Sequence, residues 1–184
     1  MRALLLAAAL TLPAGSALAG GFTLTSSSFA DGATMPMALV LRGHGCGGGD
    51  HSPALAWSGA PAGTKSFAIT LFDPDGRAGA GWWHWTVFDI PPGVNGLRAD
   101  AGAPGSPALP AGAVEGRTSF GFSHYGGPCP PPGDPPHHYR ITLYALRVAK
   151  PPFDAHVSGP LLTQYLRSHT LATARIVGRY GRPK

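Results

Sequence analysis

The chain has 184 residues with a formal net charge of +5, a 43% hydrophobic share, four Trp and eight Phe. That apolar and aromatic content excludes a disordered chain, even though 27 Gly and 20 Pro approach the share at which low-complexity sequence is suspected. The positive charge excludes little else but does not mark a nucleic-acid face: Arg175, Arg179, Arg182 and Lys184 make a sparse basic end, without a stripe of interleaved aromatics, and read as a solvated terminus.

Taken in chain order, Arg2 is followed by a small and apolar run from Ala3 to Leu12 and then by Ala17-Leu18-Ala19. The run is too short to span a bilayer, and a small-x-small triplet suits signal peptidase, so residues 1–19 read as a signal peptide cleaved between Ala19 and Gly20. Residues 20–184 then form one exported domain, periplasmic or secreted, with no further segment apolar enough for a membrane span. Strand signals follow at Phe22–Thr25, Met37–Leu41, Ala54–Trp57, Ser66–Phe72, Trp82–Ile90, His138–Val148 and Arg175–Val177, a spacing that predicts an all-β sandwich. Gly43–Ser52 is turn-rich, and Pro91–Gly116 is too long for a hairpin and carries irregular structure. After Ser158-Gly159, Pro160 suits a first helical turn, and Leu162, Tyr165, Leu166 and His169 make one stripe of a helix packed on the sheet. Two cysteines, Cys46 and Cys129, in an oxidising compartment favour a single disulfide, and their wide spacing disfavours a metal site.

Residues two apart on a strand share a face. On that rule Phe67, Ile69, Leu71 and Asp73 lie together, as do Trp82, His84, Thr86, Phe88 and Ile90, and a third row runs from Tyr139 through Ile141, Leu143 and Ala145. An acid ending an apolar row sits beside the core, where a carboxylate needs donors. Each polar residue alone reads as a hydrogen-bonded core group. Together, Asp73, His84, His137 and Tyr139 stand at strand ends beside Gly/Pro-rich loops, where a pocket mouth on a β scaffold belongs.

Asp73-Pro74-Asp75, Trp82-Trp83-His84, Tyr125 to Gly133 with its Gly-x-x-Pro-Pro-x-Gly character, His137-His138-Tyr139 and the Ser52-Pro-x-Leu-x-Trp57 segment occur in this order. So arranged, the chain resembles the phosphatidylethanolamine-binding protein (PEBP) family, closest to its bacterial Raf-kinase-inhibitor-like branch, over Phe22 to Tyr180. The resemblance implies a mostly β, two-sheet antiparallel sandwich, a large sheet against a smaller one, with a few peripheral helices and a pocket for phosphate-type groups. Its pocket positions fall on Asp73, Trp82, His84, Gly127, Pro131, His137 and Tyr139. It also implies an anionic small ligand or phospholipid headgroup as partner, with a protein partner and an inhibitory or regulatory role as further options. Three departures stand out: Arg77 in place of a second proline, His138 in place of an arginine, and the enlarged Asp134-Pro135-Pro136 loop.

The chemistry suits such a pocket. A histidine beside Asp73 is held charged more readily, and that role is expected of His84, so that anion affinity falls as pH rises through the histidine titration. The alternative is an enzyme using Asp73 and His84 with a metal or as acid and base. Against it, the sequence has no Gly-x-Ser-x-Gly elbow, no His-Glu-x-x-His and no nucleophile placed beside the histidines. The expectation is a binding protein without catalytic residues, metal or cofactor.

Overall fold

The computed structural model describes residues 21–184; the expected signal peptide and its cleavage site lie outside the described residues. Among the described residues eight strands form two antiparallel sheets. β1 (Thr23–Ser26), β2 (Leu55–Ser58) and β5 (Gly96–Leu97) make a small sheet in the order β1-β2-β5. β3 (Ser66–Asp73), β4 (Trp82–Ile90), β6 (Val114–Glu115), β7 (His137–Leu146) and β8 (Thr170–Tyr180) make the large one in the order β6-β4-β3-β7-β8. The predicted mostly β sandwich is therefore the observed architecture.

Both faces of the large sheet are covered, which is why β3 and β4 read as nearly unbroken apolar runs. One face packs on the small sheet, with Phe67, Ile69, Leu71, Trp85, Val87, Ile141 and Leu143 against Leu24, Leu55, Trp57 and Leu97. The other face, through Ala68, Phe88, Tyr144 and Leu146, takes α1 (Gly159–His169) on Leu162 and Leu166. The helix starts where sequence placed it, with Pro160 in the first turn, and Leu162 and Leu166 of its predicted stripe are buried. His169 stacks on Tyr165 and pairs with that residue's carbonyl, a packing role.

The strand expected at Met37–Leu41 is not one. Met37–Leu39 form a single 3₁₀ turn begun by Pro36, and the segment's carbonyls are taken by Gly48, Gly49, Asp50 and His51 of the following loop. Glycine permits that close approach: a Cβ on Gly48 would collide with the Val40 carbonyl. β8 extends well beyond the expected Arg175–Val177, beginning directly after the helix and pairing with β7 along almost its whole length. Pro91–Gly116 is irregular as expected, and contributes the two-residue strands β5 and β6.

The face assignment along β4 fails for a local reason. Between Leu71↔Trp85 and Phe72↔Trp83 the register shifts by one residue, inserting His84 as a bulge, and a second shift follows between Phe67 and Ile69. The first turns Trp82, His84, Trp85 and Val87 toward the face that carries Asp73 and Leu71, so His84 and Thr86 do not share the row predicted for them. The second, near Asp89 in a left-handed conformation, separates Phe88, on the helix side, from Ile90 on the inter-sheet side.

Candidate functional site

Where β3, β4 and β7 end together, a cleft of about 200 Å3 is lined by Asp73, Gly76, Arg77, Trp82, His84, Phe120, Cys129, Pro130, Pro131, His137 and Tyr139. Six of the seven positions named from sequence meet on its wall. The seventh, Gly127, is not on the wall; it acts from behind, its carbonyl accepting from His84 and its N–H donating to Asp50 Oδ1. Only glycine fits there, since a Cβ would collide with the Leu39 carbonyl.

Asp73 ends β3 with three donors on its carboxylate. Oδ1 accepts the N–H groups of Asp75 (2.9 Å) and Gly76 (3.1 Å), folding the chain sharply out of the strand, and Oδ2 accepts Nδ1 of His137 at 2.8 Å. The histidine held by Asp73 is thus His137 on β7, not His84, which corrects the pairing expected from sequence. On its far side, His137 Nε2 lies 3.7 Å from Asp134, which the enlarged loop brings in. His138 points away, pairing with Asp75 at the surface as alternation predicted.

His84 is held differently. Its Nδ1 donates to the carbonyls of Gly126 (2.8 Å) and Gly127 (3.1 Å), and its ring packs edge-on against Phe120 and Tyr139. Burial pulls its pKa down to about 4, outweighing the Gly126 carbonyl and the more distant Asp73. His84 is therefore a neutral imidazole at physiological pH, not the charged group expected from sequence. The Tyr139 hydroxyl is buried with no acceptor for its proton among the described residues; the backbone N–H of Cys129 faces its oxygen, short of a well-formed hydrogen bond. Burial, joined by Asp73 and Asp75, pushes its pKa well up, so it remains a neutral donor.

The walls are apolar and basic at the rim. Arg77, in a left-handed conformation beside the Asp73 turn, sets its guanidinium 5.8 Å over the Trp82 ring. Phe120 closes the side, edge-on to both Trp82 and His84 and stacked on Phe122. Sequence reasoning did not single out Phe120; the alternating aromatics of Phe120-Gly121-Phe122 were its available signal. The opposite wall is fixed by the expected Cys46–Cys129 disulfide, whose Cα atoms lie 5.8 Å apart. Arg182 joins it, donating to the carbonyls of Gly45 and Pro130, so this part of the basic C-terminus braces the cleft instead of facing water. Among the described residues no cluster of three or more His, Cys, Asp or Glu side chains is arranged to hold a metal ion.

The family model for phosphatidylethanolamine-binding protein matches residues 25–181. The UPF0098 protein YbcL of Escherichia coli K12 is 46% identical over 180 residues, covering 98% of each chain, and its crystal structure superposes with a TM-score of 0.85 over 88% of this chain and 99% of that one. A putative phosphatidylethanolamine-binding protein homologue from Chlamydia trachomatis, CT736, is 30% identical with a TM-score of 0.72, over 88% of this chain and 98% of its own. A relative from Mycobacterium tuberculosis H37Rv, named putative lipoprotein LppC, is 38% identical over 160 residues, 86% of this chain and 71% of its own. By sequence profile, by identity and by fold, the chain belongs to the phosphatidylethanolamine-binding protein family.

Proposed function

We propose that this chain is an exported binding protein whose cleft holds a phosphate-type anionic group, carried by a small ligand, a lipid headgroup or a protein partner. The observation that carries the reading is the Tyr139 hydroxyl, buried at the cleft with no protein acceptor for its proton. A polar group so placed costs about 1 to 3 kcal/mol unless a ligand satisfies it. His137 beside it supplies a ring nitrogen and Arg77 at the rim positive charge, while Trp82, Phe120 and Pro131 exclude water. Binding is favoured over acid–base catalysis because Asp73 is already engaged by two amides and His137, and the cysteine on the wall is oxidised. Titration calorimetry with phosphate and phosphoethanolamine at pH 6 tests this. Saturable binding is expected, weakened roughly tenfold or more by His137→Ala, the scale of one hydrogen bond to an anionic ligand. Absence of binding, with no amide shifts at the cleft, overturns it.

Export is supported by the leader-like residues 1–19, by a disulfide suited to an oxidising compartment, and by the lipoprotein name of the mycobacterial relative. The protein recovered from the periplasm is expected to begin at Gly20. Mass analysis of that fraction decides it, and an intact Met1 there contradicts the leader.

A further inference from the structure

Arg77 lines two cavities. One is the cleft; the other, of about 240 Å3, is walled by Arg77, Trp83, Arg117, Ser119 and Ser158, with no carboxylate among its lining residues. The chain holds Arg77 between them under strain. Arg77 and Ala78 both stand in the left-handed region, at φ 49° and 53°, a conformation that non-glycine residues keep only where the surroundings impose it. Here Asp73 Oδ1 accepts the N–H groups of Asp75 and Gly76, and the Gly76 carbonyl accepts those of Gly79 and Gly81. The far wall is equally fixed. Arg117 and Ser119 donate their backbone N–H groups to the carbonyls of Val157 and Trp83, and Ser119 Oγ accepts the Trp83 N–H. Arg117 Nε donates to the Gly121 carbonyl at 3.3 Å, which leaves the two terminal nitrogens without an acceptor among the described residues.

Resting on the binding reading above, we propose that the second cavity is an anion subsite, and that the preferred ligand is a phosphate ester carrying a second anionic group on a short chain. The phosphate, monoester or diester, lies in the cleft; the second anion lies between Arg77 and Arg117. A guanidinium presents five N–H donors along the edges of one plane, so Arg77 can serve an anion on either side. The other charges leave this pair available. Asp73 and Asp75, on the cleft side of Arg77, are engaged by backbone amides, His137 and His138. Glu115, two residues before Arg117, accepts the Trp85 indole N–H. Asp134 stands by His137, and Arg182 is spent on the carbonyls of Gly45 and Pro130 at the opposite wall. Neither Arg77 nor Arg117 belongs to any ion pair among the described residues. A lone anion gains little from two exposed arginines. Once the phosphate is seated, however, the tethered group arrives at high effective concentration, and a weak subsite then adds to affinity. Ligands with one anionic group still bind, at the cleft alone.

The test pairs ligands that differ in the second anion. Carboxyalkyl phosphates of graded chain length are titrated against alkyl phosphates of matching length, at neutral pH and low ionic strength. Glycerophosphoserine against glycerophosphoethanolamine makes the same comparison for a lipid headgroup. At the chain length that spans Arg77, or for the serine headgroup, affinity should rise about tenfold, the scale of one charge-assisted hydrogen bond. Arg117→Gln should abolish that gain while leaving the affinity for alkyl phosphates unchanged, since Arg117 does not line the cleft. In amide spectra alkyl phosphates should shift the cleft residues alone, and the spanning ligand should shift Arg117 and Ser119 as well. No gain at any chain length or with the serine headgroup, or a gain that survives Arg117→Gln, overturns the subsite and leaves phosphate binding at the cleft intact. If no phosphate ester binds or shifts the cleft resonances, the binding reading falls and takes the subsite with it.

Discussion

The least satisfied atom of the cleft, the Tyr139 hydroxyl, sets stability against function. Tyr139 is fully buried on the same face as Ile141 and Leu143, and its ring packs against His84. In the free protein the hydroxyl has lost water and gained no acceptor for its proton. Tyr139→Phe therefore removes an unsatisfied group from a shape-matched site and is expected to leave stability unchanged or raise it by about 1 kcal/mol. Phosphate affinity should fall at least several-fold in the same variant. Chemical denaturation alongside calorimetry checks both signs, and a variant that is less stable while binding normally would mean the hydroxyl serves the fold. Tyr139 and His137 were legible in sequence because they head an apolar row at a strand end. Gly127 was legible only through the family resemblance: its part is played by a carbonyl and by the absence of a Cβ, and neither leaves a chemical signature in a side-chain pattern.

Among elements, β4 marks the limit of pattern reading. Its bounds, Trp82–Ile90, were predicted to the residue because aromatic and β-branched residues crowd one segment between glycine and proline. Its faces were not, because two bulges each advance the alternation by one, and nothing in Trp-Trp-His-Trp identifies which residue is the extra one. The same bulge aims Trp85 so that its indole N–H donates to Glu115 of the short edge strand β6 at 2.6 Å. Burial raises the Glu115 pKa from 4.5 to about 7, partly opposed by that hydrogen bond. The folded state thus prefers the protonated acid. Its contribution to stability is complete below pH 4.5 and is lost as pH rises toward and through 7. Glu115→Gln keeps an oxygen for Trp85 without the charge. The variant should melt at a higher temperature than the parent at pH 8 and at nearly the same temperature at pH 5, and parallel pH profiles would show that Glu115 titrates normally. β6 itself was invisible in sequence, since two residues inside a Gly/Pro-rich stretch show no period.

At the scale of the molecule, the two-sheet core and the cleft wall are held by different means. The core rests on apolar contacts between sheets that neither cysteine touches. The wall depends on the Cys46–Cys129 bridge, closing a separation of 83 residues, on Arg182, and on a small cluster of Val40, Leu41 and Cys46 with Phe120, Cys129 and Tyr180 beside it. Replacing both cysteines by alanine releases a long loop in the unfolded chain and is expected to lower global stability by about 4 kcal/mol or less. Because that effect acts on the unfolded ensemble, the folded sheets should keep their ladders. Local loosening should concentrate in residues 43–47 and 129–132, where few backbone bonds remain to replace the bridge, whereas Gly48 to Asp50 stay tied to residues 37–41. Phosphate affinity should fall with it, since Pro130 and Pro131 stand on the wall that the bridge fixes. Native-state hydrogen exchange separates the two effects: amides of β3, β4 and β7 should open only by global unfolding, and those flanking the bridge by a local route present in the variant alone. The same loosening is expected in protein kept in a reducing cytoplasm by deletion of residues 1–19, so export and a formed cleft would be coupled. Equal phosphate affinity in the oxidised, reduced and alanine forms would sever that coupling and leave the bridge a purely structural staple.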